Sequence, residues 1–374
     1  MQITKFIPVL FGMIFFSLPA RAGETIIMGE RLVLKSDILG EERPYLISLP
    51  QSYNDTTYAA RRYPVLYVLD AEVHFLTTVG LLNHMSNPQN NTNMQIPEMI
   101  IVGVPNTTDR MRNLTPTRSL INHKGEETPA YSSSGGGEQF LEFLEKELIP
   151  EIDQKYRTRP VRAIAGHSLG GLTVLHSLLS REGLFHYYIA IDSSLWWNDQ
   201  YLLKKVANFI PENPKTRARV FISTGDHSSL PLGRSPFVFM TAGNKFFAQS
   251  LQKNSSVNFV TSFRVIPEQD HNSLPLLGLY YGLLHAFEGY KVSPELLNDG
   301  EAEALTRHFK SFSATNRAEF LPPEALIDWM AKIGPEAYNY PAQKVWDLLQ
   351  LNVKNYPNSE HARKRLEDFR KLPK

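Results

Sequence analysis

Apolar positions along this chain fall into two regimes. Up to about residue 290, short runs rich in Val, Ile, Tyr and Phe recur, and most stop at Gly, Pro, Asp or Ser. Such runs predict strands, here at 25–34, 44–49, 65–69, 99–104, 162–165, 187–191, 219–223 and 259–266. Helical spacing appears between the later runs. Its clearest instance is 139–149, where Phe140, Leu141, Phe143, Leu144, Leu148 and Ile149 share a face and Pro150 is expected to end the helix. Two early strands followed by strand–helix repeats predict an α/β architecture, a mostly parallel eight-stranded sheet with an antiparallel start and helices on both faces. From about residue 292 the strands cease. Amphipathic helices are expected at 301–311, 323–333, 341–356 and 359–372, a small helical appendix. The change at Lys291-Val292-Ser293-Pro294 divides the chain into 23–291 and 292–374.

Residues 1–22 stand apart from this pattern. Lys5, the apolar run 6–18 and then Ala20-Arg21-Ala22 have the form of a secretory signal peptide cleaved before Gly23. The run is shorter than the roughly 20 apolar residues that a membrane helix needs. A periplasmic or secreted protein is therefore expected, with no membrane association after cleavage. The net charge of +1 leaves no electrostatic footprint for nucleic acid. The chain contains no cysteine, which excludes disulfides, thiolate nucleophiles, thiolate zinc sites and lipid acylation of cysteine. No His-x-x-x-His spacing or carboxylate cluster points to a metal, and no cofactor is expected. Two loops, 87–93 (Asn-rich) and 132–137 (Ser-Ser-Ser-Gly-Gly-Gly), are expected to be exposed and mobile.

The segment that carries chemistry is Gly166-His167-Ser168-Leu169-Gly170. It follows an apolar strand and opens a helical pattern, the context that a nucleophile elbow requires. Glycines at 166 and 170 leave room for a strained turn that presents the Ser168 hydroxyl. A serine needs a base to take its proton and an acid to orient that base, and after such an elbow they follow in the order acid, then histidine. Of His176, His186, His227, His271, His285, His308 and His361, only His271 follows the last strand in a loop able to reach the elbow. Asp226, after the seventh strand, is the expected acid. Asp192, after the sixth, is the alternative, and a Ser–His dyad without a carboxylate stays open. Backbone N–H groups of Leu169 and of Ala71 or Glu72, after the third strand, are the expected oxyanion donors.

These pieces together resemble the Esterase-D/enterochelin-esterase branch of the α/β-hydrolases. The matching segments are Pro64-Val65-Leu66-Tyr67-Val68-Leu69-Asp70, Ile101-Val102-Gly103-Val104-Pro105-Asn106-Thr107, Arg112-Asn113-Leu114-Thr115-Pro116-Thr117, the elbow, Ser194-Leu195-Trp196-Trp197 and His271-Asn272-Ser273-Leu274-Pro275. The resemblance implies an α/β-hydrolase fold, Ser168 as nucleophile, His271 as base, and Arg112, Trp196 and Trp197 at the substrate pocket. The chain departs from the family at Ala71, Asn113 and Ser193, where relatives usually carry Gly, an acidic residue and Pro. Residues 345–359 are similar to a tetratricopeptide-type helical extension, which must pack on the rest to bury its apolar face and offers a surface for a protein partner.

The expected activity is an exported serine hydrolase that cleaves carboxylic esters of small molecules through an acyl-enzyme, with siderophore, aryl or acyl esters as substrates. An acyltransferase with the same nucleophile, or a binding protein acting through the helical extension, are the alternatives.

Overall fold

The computed structural model describes residues 26–87, 94–106, 109–209, 218–227, 237–253, 259–316 and 318–372. The expected signal peptide and most of the Asn-rich loop lie outside these residues. Eight strands form one sheet: β1 (Glu30–Ser36), β2 (Glu41–Ser48), β3 (Tyr63–Leu69), β4 (Ile100–Val104), β5 (Thr158–His167), β6 (Tyr187–Ile191), β7 (Ala218–Gly225) and β8 (Phe259–Ile266). Their order is β1-β2-β4-β3-β5-β6-β7-β8. β1 and β2 pair antiparallel, as do β2 and β4, and every later pairing is parallel. The eight expected strands are all present, with ends moved by a few residues. β3, β4 and β6 are buried along their whole length, which is why they read as unbroken apolar runs rather than alternating ones.

Helices cover both faces. They are α1 (Ala71–Ser86), α2 (Arg110–Leu114), α3 (Gly137–Phe143), α4 (Ile149–Lys155), α5 (Leu169–Ser180), α6 (Trp197–Val206), α7 (Phe237–Gln252) and α8 (Leu274–Ala286). One core, with Val174, Leu175, Phe185 and Phe247, lies on the α5 side; the other, with Phe75, Leu279 and Leu283, lies on the side of α1 and α8. This is the α/β-hydrolase fold. Pro150 does not end its helix as expected. A π-helical stretch, Leu144–Leu148, joins α3 to α4 and places Pro150 in the first turn of α4. Ile149 N–H bonds back to Leu144 O across the wider π turn, so the helix runs through Pro150 with its ladder locally shifted.

The Ser/Gly loop is also tied down rather than free. Gly135, Gly136 and Gly137 donate to Thr115 Oγ1, Arg112 O and Thr115 O at 2.8–2.9 Å. A Cβ on any of the three would stand within 2.8 Å of residues 112–118. Those glycines serve close approach, not mobility.

The chain continues through α9 (Pro294–Asp299), α10 (Ala302–Asn316), α11 (Glu324–Ala337), α12 (Ala342–Asn355) and α13 (Glu360–Arg370). Phe309, Phe312, Phe320, Leu326 and Ile327 of this region share one apolar cluster with Phe75, Ile189 and Leu283. Ala59 N–H donates to Glu324 Oε2 at 2.8 Å, and Tyr187 O–H donates to Asn316 Oδ1. These helices close the α1/α8 face of the sheet.

Candidate functional site

β5 ends at His167 and α5 begins at Leu169, leaving one residue for the turn between them. Ser168 takes that turn at φ 59°, ψ −116°, a region that non-glycine residues rarely adopt and that marks functional strain. The strain is held by neighbours: Ser168 N–H donates to Ile191 O at 2.9 Å, and Ser194 N–H donates to Ser168 O at 3.0 Å. A Cβ on Gly166 would stand 2.4 Å from the Gly170 carbonyl carbon. Gly166→Ala must therefore shift backbone, and should lower stability by about 1–3 kcal/mol. A thermal melt at the wild-type temperature would refute that reading of the turn.

The sheet brings two further loops to this point. Asp192, just past β6, is fully buried at φ 43°. Its Oδ2 accepts from His271 Nδ1 at 2.7 Å and from His227 Nε2 at 3.1 Å, and its Oδ1 accepts from Thr224 Oγ1 at 2.7 Å. Burial alone would push the Asp192 carboxyl up. The bonds from His227, His271 and Thr224 outweigh it and hold the group below the usual carboxylate range. His271 lies against His167, with ring centroids 4.3 Å apart, which sets it beside the residue preceding Ser168. The bond from Nδ1 leaves its Nε2 as the nitrogen able to accept a proton.

This arrangement corrects the expected acid. Asp226 is exposed, and its backbone N–H donates to Gln269 O at 3.1 Å. The carboxylate that meets His271 is Asp192. β7 pairs its Ser223 with Ile191, the end of β6, and runs on to Gly225, which carries Asp226 beyond the level of Asp192; the turn at Asp192 brings its carboxylate to His271.

The expected oxyanion donors, Leu169 and Ala71, are the first residues of α5 and α1, where N–H groups have no acceptor within the helix. The two helix starts adjoin, since a Cβ on Gly170 would stand 3.2 Å from Asp70 Oδ2. Asp70 is fixed by Arg110, whose Nε and Nη2 each donate at 2.8 Å, and by Asn106 Nδ2. Glu72 is exposed in the first turn of α1. The helix starts direct partial positive charge to one place.

The remaining expected residues divide. Trp196 is half-buried, faces His123 at 5.7 Å, and follows Ser194, whose Oγ lies 3.2 Å from Ser168 Oγ. Trp197 is 1% exposed and donates from Nε1 to Thr117 O at 3.1 Å. It is a core residue, not a pocket wall, because the chain turns inward into α6 at that point. Arg112 pairs with Glu41 at 2.6 Å and donates from Nε to Asn113 Oδ1 at 3.1 Å. Asn113 thus holds the guanidinium without a charge, and the grip on the α1 start belongs to Arg110. Sequence reasoning passed over Arg110, Ser194 and the pairing of His227 with Asp192. Their only signal was position just past a strand end. A cavity of about 240 Å³ opens between α1 and α8 beside this cluster, lined by Val73, His74, Thr77, His167, Asn272 and Leu276 among others. Among the described residues no group of three or more His, Asp or Glu side chains is placed to hold a metal ion.

Burial also sets the charge of two rings, His167 beside His271 and His285 near the start of β7. His167 is pushed down to about 3, chiefly by burial with the His271 and His74 rings adding to it, and His285 is pushed down to about 4 by burial and Arg219. Both are neutral in the folded protein near pH 7. The unfolded chain binds these protons near pH 6.5. Stability from keeping the rings neutral is therefore complete above about pH 6.5 and is lost as pH falls toward the folded values, with a slope approaching 1.4 kcal/mol per pH unit for each proton. Urea midpoints measured between pH 7.5 and 4.5 should fall steadily. A flat profile would contradict the burial of these rings.

Comparison with known proteins agrees with this geometry. The family described as "Putative esterase" matches residues 36–273. The ferri-bacillibactin esterase BesA of Bacillus subtilis (strain 168) is 34% identical over 168 residues, 43% of this chain and 57% of that protein. The siderophore triacetylfusarinine C esterase of Aspergillus fumigatus is 28% identical over 191 residues, 48% of this chain and 61% of that protein. The chain thus spans about three-fifths of the length of these curated relatives. An IroE-like serine hydrolase from Shewanella oneidensis superposes with a TM-score of 0.75 at 28% identity, covering 87% of this chain and 99% of that one. With the matched residues extending over more than half of its length, and with the elbow, sheet and helices in place, the chain belongs to the putative esterase family.

Proposed function

We propose that the protein is a serine esterase working through Ser168, His271 and Asp192, and that its substrates are siderophore esters. The observation that carries the reading is the 2.7 Å bond from His271 Nδ1 to buried Asp192, made beside a serine held in a strained elbow. In this reading His271 Nε2 takes the Ser168 proton as Oγ bonds to the ester carbonyl carbon. The negative oxygen is stabilised by the Leu169 and Ala71 N–H groups. Collapse breaks the ester C–O bond, and His271 returns the proton to the departing alcohol. Water, deprotonated by the same imidazole, then releases the acid and restores Ser168.

Siderophore esters are favoured because the names of the curated relatives are siderophore esterases. The cavity beside His271, at about 240 Å³, has room for one ring-sized arm of such a ligand rather than the whole; an apolar cavity of roughly 150 Å³ already holds benzene. The N-terminal pattern supports export to the periplasm or beyond. The test is labelling of the mature protein with a fluorophosphonate, followed by turnover of siderophore and simple aryl esters. Labelling of wild type that fails in Ser168→Ala supports the reading, and an unlabelled, folded wild type sinks it.

A further inference from the structure

We infer that His227 is a positioning residue for the Ser168–His271–Asp192 site, an inference that rests on the esterase reading. Asp192 Oδ2 accepts from two imidazoles at once, His271 at 2.7 Å and His227 at 3.1 Å. The two rings differ in exposure. His271 keeps 15% of its side chain exposed, whereas the His227 side chain keeps 2%. A carboxylate offers only acceptors, so both nitrogens must carry a proton to bond it. That fixes His271 as the Nδ1–H tautomer and His227 as the Nε2–H tautomer. With Thr224 on Oδ1, the carboxylate is held at both oxygens and cannot turn away from His271.

The backbone is shaped for this meeting. Asp226 N–H donates to Gln269 O at 3.1 Å, stapling the loop after β7 to the loop after β8. A Cβ on Gly225 would stand 2.4 Å from Gln269 O and 3.1 Å from His227 Cε1. Glycine at 225 is what lets the two histidine-bearing loops close on one aspartate. The bond that His227 makes in the site is to Asp192, not to Ser168. His227 acts through Asp192, by fixing Oδ2 and by drawing charge from it, so that the proton gained by His271 stays on the imidazole.

Removing this donor makes the carboxylate more basic, which strengthens its hold on the His271 imidazolium. The groups facing Asp192 are His271, His227 and Thr224, with His167 stacked on His271. In His227→Phe, kcat for a simple aryl ester should fall about tenfold or more with KM unchanged, and the acid limb of kcat/KM should move to higher pH. In His227→Gln, whose amide nitrogen lies near the Nε2 position, most of both effects should be restored. Should the Phe variant fail to fold, His227→Asn, whose amide is too short to reach Oδ2, takes its place and should lose kcat in the same way. Wild-type kcat and acid limb in the folded Phe or Asn variant would overturn the inference, as would equal losses in Gln. An independent readout is proton NMR, where wild type should show downfield ring N–H signals assigned to His271 and to His227, and His227→Gln should lose the one from His227. Absence of the His227 signal in wild type overturns the inference whether or not any ester is turned over, while failed labelling of wild type overturns the esterase reading alone.

Discussion

Ser168→Ala should remove essentially all ester turnover, a fall of about 10⁶ in kcat if the serine, its base and its acid act as a unit. Fluorophosphonate labelling should vanish with it. Stability should hold, because alanine keeps the same backbone at φ 59° and, among the described residues, the Ser168 Oγ makes one 3.2 Å contact, to Ser194 Oγ. That contact supplies the control. Ser194→Ala removes the neighbouring hydroxyl and should leave labelling in place, so labelling kept in Ser168→Ala and lost in Ser194→Ala would mean that Ser168 is not the nucleophile. Thermal melts of both proteins complete the test.

Asp192→Asn should lower kcat by about 10⁴, the magnitude expected when a triad carboxylate becomes an amide and the imidazole takes the wrong tautomer. An amide nitrogen donates where Oδ2 accepted, and Oδ2 now takes bonds from two imidazoles. His271 would then either break away or present its N–H to the serine. Asp226→Asn should change kcat less than threefold by rough expectation, since an exposed loop carboxylate adds little at such a distance. The two variants, assayed side by side on one aryl ester, choose between the acids. Equal activity of Asp192→Asn and wild type would favour a dyad that needs no carboxylate.

That contrast shows where sequence stops informing. β6 and β8 could be placed to the residue, because buried parallel strands bounded by turn residues leave a clear pattern. Ser168 was legible because a strand, three glycines and a helix surround it. His271 was legible because it alone follows the last strand in a loop that can reach the elbow. The acid was not, since both Asp192 and Asp226 follow strands. What separates them is one backbone dihedral and the residue at which β7 ends, and neither has a sequence signature. Trp197 misled for a related reason. An aromatic pair past a strand end reads the same whether the second ring faces outward or in, and only the inward start of α6 decides it. The Ser/Gly loop was misread because glycine marks both freedom and crowding, and here residues 135–137 press against residues 112–118.

The family match ends at residue 273, two residues past His271, and α8 begins at Leu274. A fragment drawn to that boundary would carry Ser168, Asp192 and His271, yet it would lack the wall that backs the strand before Asp192. Cβ atoms on Gly278 and Gly282 would stand 2.8 Å and 2.4 Å from the side chains of Ile191 and Ile189. α8 therefore lies directly on β6, the strand that delivers Asp192, and α9–α13 complete the apolar cover beyond it. Reactive groups and structural cover are encoded in successive stretches of chain. During synthesis the site residues are spelled out first, and they stay without a backing until α8 has followed them.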